Sequence, residues 1–262
     1  MMELLNKISV ITGGTSGIGK ATVIRFAEEG AKVAFCGRRS DQGKQVEKEI
    51  NAAGYPGQAY FFPCDVSIEQ EVKEFAAFVK EKLGNCEVLF NNAGIHLAGK
   101  LHETPPQEWD RIMNVDLRGA YLVCYYFLPQ MLEKKYGTII NMSSVSGLLG
   151  DTEMVAYNTA KGAITNMTRC MALDYAMDGI RVNAVCPGIT RSEIVEHTFT
   201  SIKGAEEKFK AAYPVHYIAE AVEVANAVVF LASRKCDFIT GVNLPIDGGI
   251  TAHTGQPYMG TY

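Results

Sequence analysis

The chain has 262 residues, 47% of them hydrophobic and 21% charged, an ordinary globular balance. A chain of this length buries about three quarters of its unfolded surface, enough for one large α/β core. Its net charge of −4 and pI near 5.8 exclude a basic footprint for nucleic acid or for an anionic membrane.

The elements alternate along the chain. Residues 7–12 (KISVIT) are a β-branched run that stops at Gly13-Gly14. Apolar residues at helical spacing (Ile18, Ala21, Val23, Ile24, Phe26, Ala27) predict a helix over 18–29, closed by Gly30. A strand over 32–36, a charged helix over 41–54 and a strand over 59–66 come next. An amphipathic helix over 69–84 leads into a strand and its loop at 87–94. Two helices, about 107–118 and 120–135, precede a strand at 137–144. A helix from 154 to 177, a strand at 180–188, a helix at 219–233 and a last short strand within 239–249 complete the pattern.

Such alternation builds a doubly wound α/β sheet, parallel and covered by helices on both faces. No linker, repeat or biased tract divides the chain, so residues 1–262 are expected as a single domain. Two segments stand outside the pattern: 192–217, read as a substrate lid, and 250–262, read as a C-terminal tail.

The longest apolar run, ten residues from Gly119, is too short to span a bilayer. The N-terminus shows no secretory leader, so a soluble cytoplasmic protein is expected. The seven cysteines form no CxxC pair and read as reduced core residues. The five histidines lack ligand spacing, and no metal site is expected.

Residues 12–19, TGGTSGIG, sit between the first strand and the first helix. Glycines there allow a tight turn and close approach of a pyrophosphate to the helix N-terminus. Their spacing is GxxxGxG, at Gly13, Gly17 and Gly19. Where an acidic residue would hold the ribose hydroxyl of NAD, the second strand ends in Cys36-Gly37-Arg38-Arg39. A guanidinium pairs bidentately with phosphate, so Arg38 and Arg39 favour NADP(H) over NAD(H).

In Tyr157-x-x-x-Lys161 the tyrosine and lysine share one helix face, a turn apart. A free tyrosine is mostly protonated at pH 7, and a neighbouring ammonium favours the phenolate. Such a tyrosine can donate or accept a proton at a carbonyl or alcohol oxygen.

TGxxxGxG at 12–19, NNAG at 91–94, MNVDL at 113–117, NMSS at 141–144, YxxxK at 157–161 and CPG at 186–188 together resemble the short-chain dehydrogenase/reductase family. The resemblance covers about residues 5–249 and implies that residues 1–262 form a single NAD(P)-binding, Rossmann-type domain with a seven-stranded parallel sheet. It implies hydride transfer between NAD(P) and a carbonyl or secondary alcohol. It places a catalytic tetrad on Asn114, Ser144, Tyr157 and Lys161, with Ser143 as the alternative serine. Asn114 would hold a water that links Lys161 to solvent, and Ser144 would hydrogen-bond the substrate oxygen.

The resemblance also implies cofactor contacts. They comprise the loop residues Gly13, Thr15, Ser16, Gly17, Ile18 and Gly19, then Arg38 and Arg39, and Asp65 and Val66 beside the adenine. Asn92, Ala93 and Gly94 follow on the adenosine side, with Tyr157 and Lys161, then Pro187, Gly188, Ile189, Thr190 and Ser192 near the nicotinamide carboxamide.

Substrate choice is expected in 96–104, 146–156, 192–217 and the tail. Leu148, Leu149, Met154, Ile194, Val195 and Phe199 suit a bulky hydrophobic ketone or alcohol such as a hydroxysteroid, or else simply pack a lid. A 3-oxoacyl reductase, a sugar or polyol dehydrogenase, and a cofactor sensor without catalysis are the alternatives. The resemblance implies a homodimer or homotetramer formed through the helices around 107–135 and 154–177, and a small-molecule ketone or alcohol as the other partner.

Overall fold

The computed structural model describes residues 2–254. Residues 255–262, most of the expected tail, and the side chain of Ile194 lie outside what is described. Seven strands run through the chain: β1 (Ile8–Thr12), β2 (Lys32–Gly37), β3 (Gln58–Pro63), β4 (Val88–Asn91), β5 (Gly137–Met142), β6 (Ile180–Pro187) and β7 (Asn243–Ile246). They form one sheet in the order β3-β2-β1-β4-β5-β6-β7, and every pairing is parallel. The expected Rossmann-type fold is therefore observed.

Parallel strands buried on both faces need apolar residues at every position, sorted by the pleat. Val10, Ala34, Leu89 and Ile139 point to one face, where they meet Val72, Phe75, Leu122 and Phe127. The next residues along, Ile11, Phe35, Phe90 and Ile140, point to the other and meet Phe26, Val224 and Val228. The helices that supply those partners are α1 (Gly17–Glu28) and α9 (Ala221–Ala232) on one face. On the other they are α3 (Glu69–Lys82), α5 (Gly119–Lys134) and α6 (Val155–Tyr175), while α2 (Ser40–Ala52) covers the β2–β3 edge. Strand order reverses between β1 and β4, which opens a crevice at the carboxyl ends of the strands.

Two departures from the expected elements matter. The helices expected at 107–118 and 120–135 are one continuous helical run: α4 (Pro106–Ile112), a π-helical turn (Met113–Arg118) and α5. A π turn adds a residue to the helix and re-aims the side chains that follow. Segment 192–217 folds into α7 (Glu193–Ser201) and α8 (Ala205–Ala212). One guanidinium fastens these helices. Arg191 meets Glu196 of α7 and Glu206 of α8 at 2.6 Å each, and Glu220 at the start of α9 at 3.2 Å.

Six of the seven cysteines are buried and Cys170 is exposed. Among the described residues no helix is long and apolar enough to cross a membrane, and no His/Cys/Asp/Glu group could hold a metal ion.

Candidate active site

The glycine loop between β1 and α1 turns on two left-handed residues, Gly13 (φ 67°) and Gly17 (φ 51°). A Cβ at Gly19 would collide with the Gly13 carbonyl oxygen, so the loop closes only without a side chain there. Ser16, the N-cap of α1, is extended and its side chain caps no N–H of the helix. The result is a turn open to a close-approaching ligand, with a helix N-terminus at its end, and this fits a pyrophosphate. Ile18 lies in the first turn of α1, half-buried, and Thr15 packs where a Cβ on Gly37 would come within 2.8 Å of its methyl.

Asn92 secures the loop from β4: its amide nitrogen donates to Thr12 O at 2.9 Å and to Gly13 O at 3.2 Å. The Asn92 and Ala93 main-chain N–H groups both donate to Thr12 Oγ1 at 3.0 Å. Asn92 thus shapes the loop through its amide nitrogen. At the end of β2, Arg39 donates to Ser16 Oγ at 2.7 Å and to Glu193 at 2.9 Å. Arg38 is more open and stands 3.9 Å from Asp65. Asp65 Oδ1 accepts from the Ser67 hydroxyl at 2.7 Å, and Val66 is buried against Gly119.

The reactive cluster forms where β5 ends and α6 begins. Ser143 and Ser144 follow β5 directly. Ser143 is committed to α6: its hydroxyl donates to the Lys161 carbonyl at 3.0 Å. Ser144 Oγ accepts from the Ser146 N–H at 3.1 Å and retains its own proton for donation. The turn after Ser144 presses onto α6, since a Cβ on Gly147 would come within 2.6 Å of Lys161 O. This contact sets the end of β5 against the helix that carries Tyr157 and Lys161.

Lys161 is buried, with its ammonium 5.5 Å from the centroid of the Tyr157 ring. It donates to Met142 O at 3.2 Å and meets Asp116 Oδ2 at 3.0 Å. Burial pulls the ammonium toward the neutral form, but Asp116, Tyr157 and Cys186 together more than reverse this, and the Lys161 pKa is raised. Asp116 Oδ1 accepts from the Ile95 N–H at 2.8 Å, whereas buried Oδ2 receives no well-directed hydrogen bond, so the lysine contact is ionic. The loop crosses this pair at Gly94, where a Cβ would lie 2.9 Å from Asp116 Oδ2. The His96 ring packs on Tyr157 with centroids 5.4 Å apart. Partial desolvation lowers the His96 pKa against the pull of Asp116 and Asp151.

The structure does not bring Asn114 to this cluster. Asn114 is exposed, and the carboxylate two residues on, Asp116, reaches Lys161 instead. The physical reason is helical register. Ile112, Asp116, Gly119, Val123 and Phe127 are all buried, at spacings of three or four along one helix face, and Asn114 is off that face. That stripe was the signal for Asp116, an acid at a core position of an otherwise apolar run.

Beyond β6, Pro187, Gly188, Ile189 and Thr190 form the turn toward the lid. The Ile189 N–H donates to the Tyr213 hydroxyl at 2.7 Å, and Thr190 Oγ1 donates to Gly188 O at 3.1 Å. Ser192 caps α7, accepting from the Val195 N–H at 3.3 Å, and a Cβ on Gly17 would be 3.7 Å from its Cβ. The lid therefore starts directly over the glycine loop. A cavity of about 550 Å³ opens beside the cluster, bordered by Leu148, Leu149 and Met154 and by Lys100, Asp151 and Glu153.

The family model described as enoyl-(acyl carrier protein) reductase matches residues 13–251. Meso-2,3-butanediol dehydrogenase of Serratia marcescens is 41% identical, over 98% of this chain and 99% of its own. NADP-dependent (R)-specific alcohol dehydrogenase of Lentilactobacillus kefiri is 36% identical, over 95% and 98%. The solved structure of ElxO with NADP bound superposes with a TM-score of 0.89 at 32% identity, covering 95% of this chain and 100% of that one. With the glycine loop, the YxxxK helix and the seven-stranded sheet in place, the chain belongs to the short-chain dehydrogenase/reductase family and is an NAD(P)-dependent alcohol dehydrogenase/ketoreductase.

Proposed function

We propose that the chain interconverts a small, partly polar secondary alcohol and its ketone, using NADP(H) in preference to NAD(H). The observation that carries the reading is the buried Lys161 ammonium, held charged by Asp116 at 3.0 Å one helical turn beyond Tyr157.

The roles follow from where the groups sit. Bound NADPH supplies the hydride for the carbonyl carbon. Tyr157 Oη gives its proton to the carbonyl oxygen in reduction and takes it back in oxidation. Ser144 donates a hydrogen bond to the same oxygen, where charge develops. Lys161 keeps positive charge beside the tyrosine, its ammonium 5.5 Å from the ring centroid. Asp116, in the place expected for Asn114, is a positioning residue that keeps Lys161 protonated and fixed.

The glycine loop and the N-terminus of α1 hold the pyrophosphate, with Asn92 and Ala93 setting the loop's shape. Arg38 and Arg39 face the ribose end, where no carboxylate competes on β2, and this supports NADP(H). The charged rim of Lys100, Asp151 and Glu153 and the butanediol-oxidising relative support a small hydroxylated substrate. A bulkier, hydroxysteroid-like substrate has one observation in its favour, the cavity of about 550 Å³ bordered by Leu148, Leu149 and Met154.

The test is kcat/KM for short hydroxyketones and diols beside hydroxysteroids, each with NADPH and NADH. Higher values for the short compounds with NADPH are expected. A steroid preference would replace the substrate reading, and a preference for NADH would overturn the cofactor reading.

A further inference from the structure

Arg39, one of the two guanidinium groups that follow β2, is already engaged by an acid from another part of the chain. Glu193 lies in the first turn of α7, 154 residues further along, and its Oε2 accepts from Arg39 Nη1 at 2.9 Å. The other arm of the same fork reaches Ser16 Oγ in the glycine loop at 2.7 Å. Gln42 Nε2 adds a long contact to the second Glu193 oxygen at 3.5 Å. The first residue of α7 is thus fastened to the segment that follows β2, over the glycine turn. One carboxylate oxygen on this guanidinium takes a place that a phosphate oxygen would otherwise fill.

We infer that Glu193 is a specificity-determining residue for the cofactor: its carboxylate competes with a 2′-phosphate for Arg39 and so moderates the preference for NADP(H). The inference rests on the NADP(H) reading of Arg39. A 2′-phosphate must displace Glu193 or share Arg39 with it, whereas an unphosphorylated ribose leaves the clasp intact. Both side chains are largely exposed, so the competition is worth a few-fold rather than orders of magnitude.

The test is calorimetric and needs no turnover. Adenosine 2′,5′-bisphosphate and AMP are titrated into the full-length protein, as wild type, Glu193→Gln, Arg39→Ala and the double variant. Glu193→Gln should tighten the bisphosphate by about fivefold and shift AMP by less than about twofold. Arg39→Ala should weaken the bisphosphate, and the double variant should show no gain from the glutamine. If Arg39→Ala weakens the bisphosphate but Glu193→Gln leaves it unchanged, or tightens both ligands equally, the inference is wrong and the cofactor reading stands. If Arg39→Ala does not affect the bisphosphate, the inference and the assignment of Arg39 to the phosphate fall together, and Arg38 alone carries the cofactor reading.

Discussion

Lys161 and Asp116 are ionised side by side with almost no access to water, and such a pair depends on both members. Deleting one leaves a buried charge, so Asp116→Leu should destabilise the fold by about 3–5 kcal/mol in urea unfolding. The pair also sets a pH limit. The folded pKa of Lys161 is raised, so its share of stability is complete below the ordinary lysine value of 10.5 and drains away as pH climbs through the higher folded value. Wild type should therefore lose unfolding free energy above about pH 10.5, and Asp116→Asn should show a smaller loss over that range. Asn114→Ala, at an exposed position, should leave turnover within about twofold of wild type, because surface changes away from a site move free energies by about 0.5 kcal/mol or less. A large loss in Asn114→Ala with little in Asp116→Asn would restore the asparagine to the cluster.

Element boundaries decide what the reader of a sequence can and cannot place. The strands and their order of appearance were legible because Val10–Ile11, Leu89–Phe90 and Ile139–Ile140 are apolar in both directions, as buried parallel strands require. Gly13, Gly17 and Gly19 were legible as a loop because the backbone there tolerates no alternative. Gly19→Ala should accordingly weaken NADPH binding by at least about tenfold in fluorescence titration and lower the melting temperature, since its Cβ would meet Gly13 O. The π turn at Met113–Arg118 was not legible, because one added residue leaves no composition signal, and MNVDL holds an asparagine as well as the acid. The ties of the lid were also hidden: Arg191 and Arg39 each find partners on separate helices, which only the fold brings together. Arg191→Ala should speed amide exchange in α7 and α8 several-fold while lowering global stability by about 1 kcal/mol or less, as expected for partly exposed ion pairs.

At the scale of the molecule, several large apolar side chains stand exposed, among them Tyr121 and Tyr125 of α5, Leu173 of α6, Val222 and Phe230 of α9, and Phe238. The Tyr121 and Tyr125 rings lie side by side, with centroids 6.0 Å apart. Isolated exposed apolar residues are ordinary, but grouped aromatic ones suit association. Sedimentation should show a homo-oligomer, with Tyr125→Asp and Phe238→Glu each lowering its mass by one assembly step. An unchanged wild-type monomer would refute the expected assembly.

The proposed chemistry rests on Tyr157 as the proton donor and acceptor beside a charged lysine. Its most direct test is Tyr157→Phe, followed for ketone reduction with NADPH and for NADPH affinity in the same preparation. Turnover should fall by about 10²–10⁴-fold while the NADPH Kd stays within about twofold of wild type. Turnover equal to wild type, with binding intact, would contradict the assignment.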